Sequence, residues 1–213
     1  MAFRGWPAEA IEFYEGLEAD NTRAYWQDHK KEYEELVKGP MVELLAELAG
    51  EYGEGKIFRP FRDVRFSKDK SPYKTAIGAT LERGGYVQFS ARGLAAGCGY
   101  YVMMPDQLEQ YRRAVADDGS GADLESLVAD LRRSGADVTA RESLRTAPKG
   151  YPKDHPRIDL LRHKGLIAWR EWPVAAWMGT AKAKQRVVDF LVGARPLTAW
   201  LDKHVGPSAM PGR

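Results

Sequence analysis

The spacing of apolar residues along the chain separates helical from strand-forming segments. From Pro7 to about residue 52, apolar side chains recur every three or four positions, which predicts three helices. We expect Asp20 or Asn21 to cap the second helix, because short polar side chains accept hydrogen bonds from helix N-termini. Gly39-Pro40 is expected to interrupt the pattern before the third helix. The first quarter of the chain is therefore predicted to be helical.

After Gly53 the apolar pattern becomes shorter and alternates, as strands require. Gly84-Gly85 lies between two such runs and predicts a β-hairpin with a two-residue turn. The candidate strands in this part of the chain are Lys56–Phe58, Arg62–Phe66, Ala76–Arg83, Tyr86–Ala91 and Gly97–Met104.

Beyond residue 104 the chain returns to helical spacing, with helices expected to begin at Pro105 and at Asp123. Residues 135–164 contain three prolines and only short apolar pieces, so they are predicted to be irregular. Together the patterns predict one α+β domain over residues 1–213, with a mainly antiparallel sheet packed by N-terminal, middle and C-terminal helices. Its successive parts are a helical segment (7–52), strands and a basic loop (56–104), helices (105–134), a basic irregular segment (135–164), and a strand (Gly165–Trp172) followed by two helices (Lys182–Val192 and Leu197–Val205) within 165–205.

Composition is typical of a soluble globular protein: 44% of the 213 residues are hydrophobic and 29% are charged. Cys98 is the single cysteine, which excludes an intrachain disulfide and a thiolate metal cluster. The N-terminal sequence lacks an apolar signal core, and the longest uncharged stretch, Gly93 to Pro105, is too short to span a bilayer. These features predict a cytoplasmic protein without a membrane partner, and none of them specifies an oligomeric state.

Charge is unevenly distributed although the net charge is only +2. Residues 1–54 contain 5 Lys and Arg against 13 Asp and Glu, a balance typical of helices with a solvated acidic face. Residues 141–170 contain 8 against 3, and residues 62–74 contain 5 against 2. An acidic helical segment together with two basic segments suggests a polarised surface.

The segment RDVRFSKDKSPYKT, residues 62–75, combines cations with hydroxyl donors around Pro72. Arginine offers a planar fork of donors to phosphate or carboxylate, lysine offers a compact charge, and proline stiffens the loop. The segment therefore predicts a site for an anion with several oxygens. The predicted ligand-binding residues are Arg62, Arg65, Ser67, Lys68, Lys70, Ser71, Tyr73 and Lys74.

A second basic segment, residues 149–157, has similar chemistry and contributes Lys149, Tyr151, His155 and Arg157 to the predicted ligand-binding set. We hypothesise that both segments line one cleft, where low-dielectric walls would concentrate their field. Asp63, Asp154 and His155 are the candidates for general acid–base catalysis, although His155 before a proline is also typical of loop packing.

The sequence lacks the familiar motifs of metal and cofactor sites. His155 and His163 are eight positions apart, which is not the helical pair spacing of metalloenzymes. A serine nucleophile elbow, a Walker loop and a dinucleotide glycine fingerprint are also missing. We therefore predict no metal and no cofactor.

Four stretches of the chain resemble a known family, the bacterial and fungal proteins that share domain of unknown function 2461. They are RDVRFSKDKSPYKT, NTRAYWQDHKKEYEEL, GCGYYVMMPDQLEQYRRAV and PKGYPKDHPRIDLLRHKGL. The family pattern in the second stretch is Asn-Asn-x-x-x-Trp-Phe, from which Thr22 and Gln27 depart. The resemblance implies an α+β fold and no established activity.

Three functions fit these observations. The first is a basic cleft for a phosphorylated or carboxylated small molecule, with or without catalysis. The second is a nucleic-acid-associated protein that uses the same basic surface. The third is a structural or partner-binding module whose charged segments form internal ion pairs. We favour the first.

Overall fold

The computed structural model describes residues 2–210, which form two compact units. Unit 1 comprises residues 2–96 and 171–189, and unit 2 comprises residues 97–170 and 190–210. The α+β fold class is confirmed, since helices and an antiparallel sheet occur in the same chain. The helices are α1 (Glu9–Ala19), α2 (Arg23–Glu32), α3 (Gly39–Tyr52), α4 (Pro105–Ala116), α5 (Asp118–Arg133), α6 (Ile158–Arg162) and α7 (Lys182–His204).

Six strands form one sheet in the order β1-β2-β3-β4-β6-β5. They are β1 (Gly55–Ile57), β2 (Ala76–Leu81), β3 (Tyr86–Ser90), β4 (Gly93–Tyr100), β5 (Asp137–Thr139) and β6 (Leu166–Pro173). The predicted hairpin is confirmed: β2 and β3 pair antiparallel, with Thr80 opposite Tyr86 and Gly78 opposite Gln88. β4 begins four residues earlier than expected and ends at Tyr100.

One face of the hairpin carries the core of unit 1. Ile77, Ala79, Val87 and Phe89 alternate along β2 and β3 and are buried, as the two-residue period of a strand requires. Phe89 stacks on Trp6, with ring centroids 4.7 Å apart. The opposite face, which carries Gly78 and Gln88, is therefore left for the site described below.

The helical segment before residue 52 is not interrupted at Gly39-Pro40, contrary to the prediction. Tyr33–Lys38 forms a π-helical turn that joins α2 to α3, and Pro40 occupies the first turn of α3, where a missing N–H is tolerated. The Val37 carbonyl oxygen within this turn accepts a hydrogen bond from the buried indole N–H of Trp6, at 3.0 Å. A side chain from the N-terminal segment thus provides a hydrogen-bond donor for a backbone carbonyl of the irregular turn.

Other boundaries differ from the predictions for identifiable reasons. Thr22, not Asp20 or Asn21, caps α2, because its hydroxyl oxygen accepts from the Tyr25 N–H at 3.2 Å. Helix α7 runs through Pro196 without the expected break; Pro196 and Val192 are both exposed, so water can bond the carbonyl that proline leaves free. Within residues 135–164, predicted to be irregular, β5 and α6 are regular elements.

Arg62–Phe66 is a loop, so the strand predicted there is wrong. The Asp63 carboxylate accepts a hydrogen bond from the backbone N–H of Arg65, and such local side-chain bonds compete with a strand ladder. In residues 2–210 none of the helices is both long and apolar enough to cross a membrane.

Candidate functional site

The basic loop of residues 62–74 is closed at its base by backbone pairing. Arg62 N–H donates to the Pro72 carbonyl oxygen at 2.9 Å, and Lys74 N–H donates to the Pro60 carbonyl oxygen at 2.8 Å. Phe61 and Tyr73 form an antiparallel bridge between these two contacts. The loop therefore leaves and re-enters unit 1 at a fixed place.

Asn21, just before α2, holds the returning end of this loop. Its side-chain Nδ2 donates to the Tyr73 carbonyl oxygen at 3.1 Å, and its Oδ1 accepts from the Tyr73 N–H at 3.0 Å. The buried Tyr73 ring stacks on Trp26 at 4.4 Å between centroids. Backbone and ring of Tyr73 are thus both fixed by the helical part of unit 1.

Most polar groups inside the loop support the loop itself. The Asp69 carboxylate accepts from the backbone N–H and hydroxyl of Ser71, at 2.9 and 2.7 Å, and pairs with Arg62. Hydrogen bonds from Ser71, followed by that from Arg62, lower the pKa of Asp69 well below its ordinary value. Lys70 Nζ donates to the Val64 carbonyl oxygen at 3.0 Å.

Arg65 is also paired, although it is well exposed. Its guanidinium donates to both carboxylate oxygens of Asp63, at 3.0 and 2.7 Å. These hydrogen bonds lower the pKa of Asp63, which disfavours the proton-donor part of its predicted role in general acid–base catalysis near neutral pH. Phe66, next in sequence, is 97% exposed.

A cavity of about 620 Å³ lies beside the base of the loop, and all of its lining residues belong to unit 1. Its floor is shaped by small residues of β2: the Tyr86 hydroxyl lies over Gly78, where an added Cβ would be 2.2 Å from that oxygen. The Tyr86 hydroxyl donates to Gln88 Oε1 at 3.1 Å. The complete lining is Glu18, Asn21, Phe58, Arg62, Asp69, Ser71, Tyr73, Lys74, Thr75, Ala76, Gly78, Tyr86, Gln88 and Arg92.

Cations outnumber carboxylates in this lining, with Arg62, Lys74 and Arg92 against Glu18 and Asp69. Asp69 accepts from one nitrogen of Arg62. By contrast, the side chains of Lys74 and Arg92 have no hydrogen bond or ion pair with any residue in the described range 2–210. Two positive charges therefore face the cavity, and no carboxylate among the described residues is bound to them.

The chain matches the model of a known protein family. Residues 9–200 fit the model of the family described as "Conserved hypothetical protein (DUF2461)", which covers most of the chain. The chain belongs to the DUF2461 family. No match was found among curated proteins or among solved structures.

The structure of this DUF2461 chain brings part of the predicted set together. Arg62, Ser71, Tyr73 and Lys74 line the cavity, whereas the remaining residues of the loop set are outside the lining: Arg65, Ser67, Lys68 and Lys70. The cavity also includes residues that the sequence did not single out, chiefly Glu18, Asn21, Phe58, Tyr86, Gln88 and Arg92. Tyr86 and Gln88 could have been identified from the alternation of apolar and polar residues along the hairpin. Both lie on the face of the strand opposite the core.

The second basic segment of this DUF2461 chain belongs to unit 2, so a cleft shared with the loop of residues 62–74 stays a prediction. Arg157 has a side chain that is only 8% exposed, and it donates to the carbonyl oxygens of Val115, Ala116 and Asp117 at 2.6 to 3.2 Å. Its guanidinium also contacts Glu125 Oε2 at 3.3 Å. These bonds hold the segment against the end of α4.

The remaining predicted residues of unit 2 have varied surroundings. Lys149 and Asp154 are exposed, and Tyr151 is half-buried. His155 Nδ1 accepts a hydrogen bond from the backbone N–H of Arg157 at 3.0 Å, a local turn contact. In the described part of the chain, His, Cys, Asp and Glu form no group of three that could hold a metal ion.

Proposed function

We propose that the cavity of unit 1 binds a phosphorylated or carboxylated small molecule. The observation that carries this proposal is the pair of cations, Lys74 and Arg92, that line the cavity without a hydrogen bond or ion pair in residues 2–210. A bound anion would supply the missing charge-assisted hydrogen bonds. The cavity volume of about 620 Å³ lies within the usual range of small-molecule sites.

The surrounding groups suit the same kind of ligand. Thr75 adds a hydroxyl donor to the lining, and Arg62 uses one of its five N–H groups for Asp69. Asn21 and the backbone pairing at the base of the loop fix the position of these donors before any ligand arrives. Preorganisation of this kind lowers the entropic cost of binding.

A thermal-shift comparison tests the proposal, with phosphate, sulfate, nucleotides and dicarboxylates as probes. A ligand that binds the folded chain stabilises it by mass action, by about 2.7 kcal/mol at a hundred times its Kd. Arg92→Ala should reduce the rise in Tm. Lys68→Ala, which removes a loop cation outside the cavity lining, is the matched control and should leave the rise unchanged. If none of the probes raises Tm, or if both variants respond alike, the proposal is wrong.

Nucleic-acid binding is the second candidate, and the exposed Phe66 beside Arg65 favours it, because protruding aromatic rings can stack on bases. The salt dependence of binding distinguishes the two candidate functions. Binding of a single-stranded oligonucleotide weakens steeply with added salt, roughly in proportion to the phosphates contacted. The affinity of a pocket for one small anion depends on salt much less. Phe66→Ala should weaken the binding of the oligonucleotide and leave the binding of the small anion unchanged.

A further inference from the structure

Lys74 is distinguished from the other cations of the cavity by the surroundings of its amine. It is half-buried, whereas Arg92 is exposed and Arg62 is paired with Asp69. The Lys74 Nζ lies 5.4 Å from the centroid of the Phe58 ring, and it contacts no carboxylate within residues 2–210. The Lys74 amine therefore lies beside an apolar ring and lines a solvent-accessible cavity. Within residues 2–210 it has no hydrogen-bond or ion-pair partner.

We propose that Lys74 forms a reversible Schiff base with a small aldehyde or ketone that also carries a carboxylate or phosphate group. This inference rests on the proposed anion-binding function, because the anionic group of the ligand would be held by the same cavity. It adds a covalent step and assigns that step to one nitrogen.

The other cavity groups would orient such a ligand. Arg62 and Arg92 offer donors for the anionic group, and Lys74 lines the same cavity. Holding an amine and a carbonyl group together in one site greatly raises their effective concentration. The hydroxyl of Thr75 is available to the carbonyl oxygen or to the anion, whereas the Ser71 hydroxyl already donates to Asp69.

The amine must lose its proton before it can attack. Burial, and then the neighbouring charge of Arg59, lower the pKa of Lys74, which increases the neutral fraction of the amine near neutral pH. Phe58 acts in the opposite direction, since its ring attracts the ammonium form. Desolvation next to a second cation is a recognised way to activate a lysine nucleophile.

The proposed step is balanced without an oxidant or reductant. The lone pair of the neutral Lys74 nitrogen adds to the carbonyl carbon, and the π electrons of the carbonyl move to its oxygen. That oxygen gains a proton from water while the attacking nitrogen returns one to water, which gives a neutral carbinolamine. The carbinolamine then loses its hydroxyl group and its remaining N–H proton as one water molecule as the C=N bond forms. In sum, an amine and a carbonyl compound give an imine and one water molecule.

Borohydride trapping followed by peptide mapping tests this step on the full chain. Glyoxylate and glyceraldehyde 3-phosphate serve as probes with a carboxylate and with a phosphate, and acetaldehyde serves as a carbonyl probe without an anion. We expect Lys74 to gain the mass of an anionic probe less one oxygen atom, about tenfold faster than the exposed Lys68. Inorganic phosphate should protect Lys74 but not Lys68.

Lys74→Arg provides the decisive variant, because arginine keeps a positive charge but is not a nucleophile under these conditions. Its trapping at position 74 should be lost while labelling of Lys68 continues. Trapping of Lys74 no faster than Lys68, or equally fast with acetaldehyde, overturns the inference. If phosphate still raises Tm in that case, anion binding stands and only the covalent step fails.

Discussion

The side chain of Asn21 hydrogen-bonds both the N–H and the carbonyl oxygen of Tyr73, 52 positions later in the chain. In this way one amide replaces the backbone partner that a neighbouring strand would provide. The contact joins the start of α2 to the end of the basic loop, so the helical segment determines where the loop returns.

Asn21→Ala should destabilise the protein and loosen the basic loop. The substitution leaves two partly buried backbone groups of Tyr73 unsatisfied, which should lower the free energy of unfolding by roughly 1–3 kcal/mol. Chemical denaturation measures this loss, and limited proteolysis should show faster cleavage between residues 62 and 74. Gln27→Ala is the control, since Gln27 is exposed and should change stability little. Equal effects of the two substitutions would contradict the anchoring role of Asn21.

The Asp69 carboxylate should contribute a pH-dependent part of the stability. Its pKa in the folded state lies below its ordinary value because Ser71 and Arg62 bond the ionised form. That contribution is therefore fully present above the unfolded pKa of about 3.9, and it is lost as the pH falls through the folded pKa.

Asp69→Asn should accordingly lower the denaturation midpoint at neutral pH, and the difference from wild type should shrink below about pH 4. Denaturant titrations at several pH values provide the measurement. Asp123→Asn is the matched control, because Asp123 has no hydrogen bond or ion pair in the described chain. A difference between wild type and Asp69→Asn that grows on acidification would refute the assignment.

Arg157 should contribute to the folding stability of unit 2. Arg157→Met removes the donor to the last carbonyls of α4 and leaves those carbonyls and Glu125 without their partner. Leaving buried hydrogen-bond acceptors unsatisfied commonly costs about 1–3 kcal/mol, so a loss of this order is expected by chemical denaturation. Lys149→Ala, at an exposed position, should stay within about 0.5 kcal/mol of wild type. A harmless Arg157→Met would show that the network is not needed for folding.

Two glycine-to-alanine substitutions in unit 1 should change the stability of the protein in opposite directions. Gly93 has a φ of +120°, and an added Cβ would be 2.2 Å from the Trp172 carbonyl oxygen, so Gly93→Ala should destabilise strongly. Gly50 lies in α3 with nothing within 4 Å of an added Cβ. Gly50→Ala should therefore stabilise by about 0.5–1 kcal/mol. Thermal denaturation of both variants checks the pair, and a stable Gly93→Ala protein would contradict the close approach.

Local patterns predicted the secondary structure best where one period dominates. The β2–β3 hairpin follows from alternation around Gly84-Gly85, and α1 follows from helical spacing after Pro7. The prediction was wrong at Gly39-Pro40, where a π-helical turn keeps the helix continuous with help from Trp6, a residue distant in sequence. A pattern within a short window contains no information about such a partner.

The candidate site was only partly predictable for the same reason. The motif of residues 62–75 indicated Arg62, Ser71 and Lys74. It did not indicate Arg92 or Phe58, which join the cavity through strand pairing and the return of the loop. Charge alone also grouped Arg157 with the ligand-binding residues, although burial against α4 occupies its donors.

The single cysteine provides an internal reporter for β4. Cys98 is buried, and burial raises the pKa of its thiol to about 11, although a hydrogen bond with Thr198 acts in the opposite direction. A maleimide should therefore react with the native chain only when this strand is transiently exposed. The labelling rate would then measure local opening in unit 2 directly, with no engineered probe.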